Sequence, residues 1–167
     1  MENQDALAFL RRHQSQLKRP SAAFMDCFHR MLNILSKNPD EDSIPLIINS
    51  FGDCRDMSLY EKLQSLLRQF PPEKVHPHLL TGLTSRNDNM RSWCADTVRY
   101  FPHKEFIPIL GNMLKEKNVL VRYASATGLE AVCSPEVRVL AENALAEERD
   151  RDVRGVLEDI LNTCVCA

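Results

Sequence analysis

Asn87-Asp-Asn-Met90-Arg91, Asn118-Val-Leu-Val121-Arg122 and Asp150-Arg-Asp-Val153-Arg154 are three copies of one short string, and a weaker copy, Asp56-Met-Ser-Leu59-Tyr60, precedes them. Successive copies start 31, 31 and 32 residues apart. Each opens with Asn or Asp, whose side-chain oxygen caps a helix by accepting a backbone N–H that would otherwise go unpaired. Each also sets an apolar residue three positions later. From that residue the pattern continues at +4, +7 and +8. It gives Leu63, Leu66 and Leu67, then Cys94, Thr97 and Val98, then Ser125, Gly128 and Leu129, then Leu157, Ile160 and Leu161. That spacing is one face of an α-helix. The small residues in the middle copies predict close approach of a neighbouring helix.

A second helix precedes each copy at the same period. Val75, Leu79 and Leu83 align with Phe106, Leu110 and Leu114, and these with Val137, Ala141 and Leu145. Phe70-Pro71 and Phe101-Pro102 are also one repeat apart, and a proline pushes the residue before it out of the α region, closing the helix there. The unit is helix A, short turn, helix B, turn. Projected backwards, the register places Phe28, Leu32 and Leu35 in an earlier B helix beginning near Ser21, and Ile44 and Ile48 in the next A helix. With residues 3–18 as the first A helix, five pairs fill the chain. Met25 and His29 stand where the cap and the arginine belong, as in a terminal capping repeat.

The string of Asp or Asn, two residues, an apolar residue and Arg, carried by Asn87/Arg91, Asn118/Arg122 and Asp150/Arg154, resembles HEAT repeats, especially the short variety named after phycobilisome lyases. The resemblance covers about residues 40–163 and departs in its period, which is shorter than the roughly 40–47 residues of longer HEAT and armadillo units. It implies an all-α fold, a right-handed α-α superhelix of about five helix pairs. The expected organisation is one domain over 1–167, with capping helices in 1–39, four regular repeats in 40–163 and a tail in 164–167. It also implies that the Asp and Arg side chains make hydrogen bonds between repeats.

A single helix pair cannot hide its apolar face, so pairs stack and the B helices line a binding surface. Positions at fixed offsets from the apolar anchor, with their neighbours, give a candidate partner-binding set of Tyr60, Glu61, Asp96, Arg99, Tyr100, Tyr123, Glu130, Glu158 and Asp159. Tyrosines beside arginines and acids are the mixture found at interface anchors. Trp93 occupies the position of Ala124 and Val156 and is expected in the core. Arg91, Arg122 and Arg154 could alternatively form a phosphate-binding ladder.

Composition bounds the rest. The 167 residues are 44% hydrophobic and 26% charged, which suits a folded domain with a real core. No apolar run reaches the roughly 18 residues that cross a bilayer, and the first residues carry charges where a signal peptide is apolar, so a cytoplasmic protein without membrane contact is expected. A net charge of −2 argues against a nucleic-acid surface, which needs clustered Lys and Arg. Residues 141–160 hold seven acids against three arginines, so the C-terminal end is acidic. The six cysteines are expected to be free thiols in a reducing compartment. Cys164-Val165-Cys166 lacks a second pair at metal-ligand spacing and is expected to be a frayed end.

No catalytic string is present: G-x-S-x-G, H-E-x-x-H, the P-loop and G-x-G-x-x-G are all missing from the sequence. His76-Pro77-His78 comes nearest to a ligand motif but sits at a helix start. No cofactor, metal or enzymatic activity is expected. The stretch Ser50–Pro102 is similar to small HEAT-like proteins encoded beside contact-dependent toxins. That similarity implies an immunity protein, a monomer or a 1:1 heterocomplex, which neutralises a basic bacterial toxin domain such as a nuclease by covering its active site. The alternatives are a scaffold or assembly factor, or a lyase-like enzyme subunit of the phycobilisome type. A HEAT-scaffold DNA glycosylase would need a basic groove, which acids interrupt here.

Overall fold

The computed structural model describes residues 2–52 and 57–164. The first Asx cap, at Asp56, and two of the expected free thiols, Cys54 and Cys166, lie outside the described residues. Among the described residues every regular element is helical: α1 Glu2–His13, α2 Ala22–Lys37, α3 Ser43–Ser50, α4 Met57–Leu67, α5 Pro72–Leu83, α6 Asp88–Thr97, α7 Ile107–Met113, α8 Val119–Val132, α9 Pro135–Glu147 and α10 Arg151–Thr163. In chain order these are five successive A–B pairs, as the repeat predicts. The fold is all-α and of HEAT type. None of these helices is long and apolar enough to cross a membrane.

The chain divides into two compact units, Met1–His78 and Leu79–Ala167. In the first unit the A helix predicted over 3–18 is α1 followed by a 3-10 turn at Gln14–Lys18. The B helix α2 starts at the predicted place, with Ser21 Oγ accepting from Phe24 N at 3.2 Å. Phe28, Leu32, Leu35, Ile44 and Ile48 are all buried. The cap displaced by Met25 is thus supplied by Ser21, one turn earlier.

In the second unit α8 packs against both α6 and α10, and α9 contacts α10 and α7. The predicted caps form. Asn87 Oδ1 accepts from Asn89 N and Met90 N, Asn118 Oδ1 from Leu120 N, and Asp150 Oδ1 from Asp152 N and Val153 N, at 2.9–3.3 Å. Most of the apolar stripe is buried as the periodicity requires, with Cys94, Val98, Val121, Leu129, Val153, Leu157 and Ile160 essentially without solvent contact, whereas Met90, Leu145 and Leu161 are only half-buried. Burial pushes the Cys94 thiol well above its ordinary range. Close approach is concentrated at Gly128, where a Cβ would stand 2.7 Å from the Ala95 carbonyl oxygen of α6. The hydroxyl of buried Ser125 donates to the carbonyl of Leu110 on α7. Small residues therefore let α8 meet its neighbours on two sides. Trp93 is half-buried instead of fully packed.

Candidate protein-interaction surface

The recurring arginine ties each B helix to the loop before it. Arg91 Nη1 donates to Ser85 O at 3.0 Å, Arg122 Nη1 to Glu116 O at 2.9 Å and Arg154 Nη1 to Glu148 O at 3.0 Å, in each case six residues back. The same guanidinium groups reach the following repeat. Arg91 Nη2 pairs with Glu116 at 3.0 Å, and Arg122 grips Glu148 in bidentate fashion through Nε at 2.7 Å and Nη2 at 3.0 Å. Asn118 Nδ2 donates to Asp88 at 2.8 Å. This is the inter-repeat bonding that the resemblance implied. It also argues against the phosphate-ladder alternative: the arginines are bonded to carboxylates and carbonyls, and the side chains of Arg91 and Arg122 are only 15% and 18% exposed, although that of Arg154 is 40% exposed. Glu148 accepts two further bonds, from Arg149 N and Asp150 N. The hydrogen bonds from Arg122 chiefly hold its carboxyl down at about 2, and the same contact raises the guanidinium of Arg122.

Tyr60 has to be removed from the predicted surface. It stands at the arginine position of its repeat, is 2% exposed, packs against Phe51 with the two rings tilted, and donates its hydroxyl to Phe51 O at 2.9 Å. It performs the arginine's task of tying a B helix to the preceding loop, with a neutral donor. Glu61, beside it on α4, is exposed and belongs to the first unit.

The other seven predicted residues lie in the second unit, on its B helices and on the 3-10 turn Val98–Tyr100. Asp96 and Arg99 form an ion pair, and Arg99 lies 6.0 Å from the ring centre of Tyr100, which is 38% exposed. On α8, Tyr123 is 41% exposed and Glu130 is half-buried. On α10, Glu158 and Asp159 are exposed, Glu158 paired with Arg154 at 3.5 Å. Because α8 sits between α6 and α10, equivalent positions read across the surface. Ser92 and Gly155 hold the positions equivalent to Tyr123 in the neighbouring copies, and a Cβ added at Gly155 would meet nothing within 4 Å.

One member of this surface escaped the sequence: Leu120, 64% exposed, stands one turn before Tyr123. Asp152, one of the seven acids counted in 141–160, stands exposed at the matching position of α10. The signal was present: Leu120 is apolar where the other copies have Asn89 and Asp152, off the buried stripe. Glu130, Asp152 and Asp159 are without an ion-pair partner among the described residues. A cleft of about 620 Å³ lies elsewhere in this unit, between α7 and α9 over Leu114, Leu140 and Ala144, and none of the predicted partner residues lines it. In the first unit a smaller pocket gathers Arg11 and Lys74, but Asp42 at 3.3 Å and Glu41 at 2.9 Å neutralise them.

The cysteines require a second correction. Cys133 and Cys164 form a disulfide, so they are not free thiols, and Cys164 is a buried C-cap of α10 and no frayed end. Cys27 and Cys94 remain reduced.

A model of HEAT repeats matches residues 76–162, just over half of the chain. The match nearly coincides with the second unit, where capping Asx residues, arginines and small α8 residues recur. The chain belongs to the HEAT-repeat family. HEAT repeats are in general protein-interaction modules. No curated protein matches the chain.

Proposed function

We propose that this HEAT module is an immunity protein, which binds a basic bacterial toxin domain through the α6/α8/α10 face and neutralises it by covering its active site. The observation that carries the reading is the exposed pair Leu120 and Tyr123 on the same face as Glu130, Asp152 and Asp159, acids without an ion-pair partner among the described residues. An exposed aromatic and aliphatic anchor among charges is the kind of arrangement in which a few residues supply most of the binding energy. The acids draw in a basic partner and speed encounter, and more so at low salt. The arginine–carboxylate ties hold the B helices in fixed register, so the surface is organised before the partner arrives.

The test is co-expression with the C-terminal domain of the protein encoded by the neighbouring gene. Growth rescue and co-purification are expected, with both lost on Tyr123→Ala combined with Glu130→Lys. Rescue that survives this double change puts the surface elsewhere, and failure of the unaltered chain to rescue refutes the immunity reading.

A further inference from the structure

Cys133 and Cys164 are the C-caps of two consecutive B helices, α8 and α10. The disulfide joins them across a Cα–Cα distance of 5.4 Å and a sequence separation of 31 residues. Cys133 also takes φ of 32°, and it is the one non-glycine residue with positive φ among those described. Glycine adopts that conformation without steric cost. A cysteine here accepts the unfavourable backbone in return for what its side chain does.

The two residues differ in exposure. Cys133 is an exposed residue, whereas Cys164 is 3% exposed. The helix that they secure does not depend on them: α10 buries Val153, Leu157 and Ile160, and Arg154 fastens its start to the carbonyls of Leu145 and Glu148. The bond acts on the last turn, where Arg138 Nη1 also donates to Leu161 O at 2.6 Å. That end of α10 carries Asp159.

We propose that Cys133 and Cys164 are a reversible thiol–disulfide pair, a modification site for a small disulfide such as oxidised glutathione, and that its closure fixes the last turn of α10. The effect on partner binding rests on the immunity reading above; the exchange chemistry and the ordering of the turn do not. In closing, the Cys133 thiolate attacks one sulfur of glutathione disulfide, breaks its S–S bond and releases one glutathione thiolate. The Cys164 thiolate then attacks the Cys133 sulfur of the mixed disulfide and displaces the second glutathione. Two electrons pass from the protein to glutathione disulfide, and the two thiol protons end on two glutathiones. Exposed Cys133 is the residue that meets the reagent, and Cys164 resolves the mixed disulfide from within. Cys94, fully buried with its thiol held protonated, does not compete.

The experiment uses the full chain carrying Cys166→Ser, so that the neighbouring thiol cannot exchange, equilibrated with glutathione disulfide or with dithiothreitol. Peptide mapping is expected to find the 133–164 bond in the first condition and two free thiols in the second. Hydrogen exchange over 158–164 is expected to be about tenfold slower when the bond is closed, with the remaining helices unchanged, and helicity by circular dichroism is expected to survive reduction. Cys133→Ser is expected to show the reduced exchange pattern in both conditions. Absence of the bond in glutathione disulfide, equal exchange in the two states, or unfolding of the whole chain on reduction overturns the proposal. Toxin-domain capture run in both redox states separates the two ideas: capture in neither refutes the immunity reading, while exchange over 158–164 still decides the pair.

Discussion

Replacing Glu148 with Gln keeps the shape of the side chain and removes only its charge. The carboxylate is 6% exposed and bonded by Arg122 at 2.7 and 3.0 Å and by the Arg149 and Asp150 amides at 2.9 Å. Its folded value of about 2, against an ordinary 4.5, is a stability statement. A depressed carboxyl stabilises the fold fully above its unfolded value and loses that contribution as pH falls through the folded value, so the window runs from about pH 5 down to about 2. The shift corresponds to about 3 kcal/mol at neutral pH, of which about 2 kcal/mol is lost by pH 3. Urea unfolding of the wild type and Glu148→Gln at pH 7 and pH 3 isolates this one group, because the other carboxylates cancel in the difference. The expected gap is about 3 kcal/mol at pH 7, shrinking to about 1 kcal/mol at pH 3. A gap below about 0.5 kcal/mol at pH 7, or one of equal size at both pH values, refutes the claim that this ion pair joins the two repeats.

Three further outcomes follow from the packing. Gly128→Ala forces a methyl against the Ala95 carbonyl and is expected to cost about 1–3 kcal/mol despite the better helix propensity of alanine, measured as a lowered Tm. Tyr60→Phe deletes the buried bond to Phe51 O and is expected to cost about 1 kcal/mol by urea unfolding, with growth rescue intact because Tyr60 does not face a partner. Asn118→Ala removes both the α8 cap and the bond to Asp88, for an expected loss of about 1–2 kcal/mol by the same measurement.

What could be read from the sequence was whatever a local rule repeats. Asn87, Asn118 and Asp150 cap their helices through bonds spanning two or three residues, so the strings contain the whole of that interaction. Gly128 and Ser125 announced close packing because no other cause puts small residues on a buried stripe. The acidic ends of the arginine ties were missed, although Glu116 and Glu148 stand 25 and 26 residues after their arginines; their partnership is between repeats and only tertiary packing brings it about. Tyr60 was misplaced because tyrosine suits an interface and a buried hydrogen bond equally well, and the choice was made by the carbonyl of Phe51. Cys133 and Cys164 were read through an expected compartment, when their spacing of one repeat at the ends of two B helices was itself a pairing signal. At the candidate surface Tyr123 was legible by offset from its anchor, whereas Leu120 needed exposure to reveal it.

The central claim is that the exposed side of α6, α8 and α10 receives the partner, and a hydrogen-exchange footprint of the captured complex tests it most directly. Slowed exchange is expected over 89–100, 119–131 and 151–163, with the α7 and α9 segments unchanged. Protection confined to 107–116 and 140–149, around the cleft between α7 and α9, would contradict it.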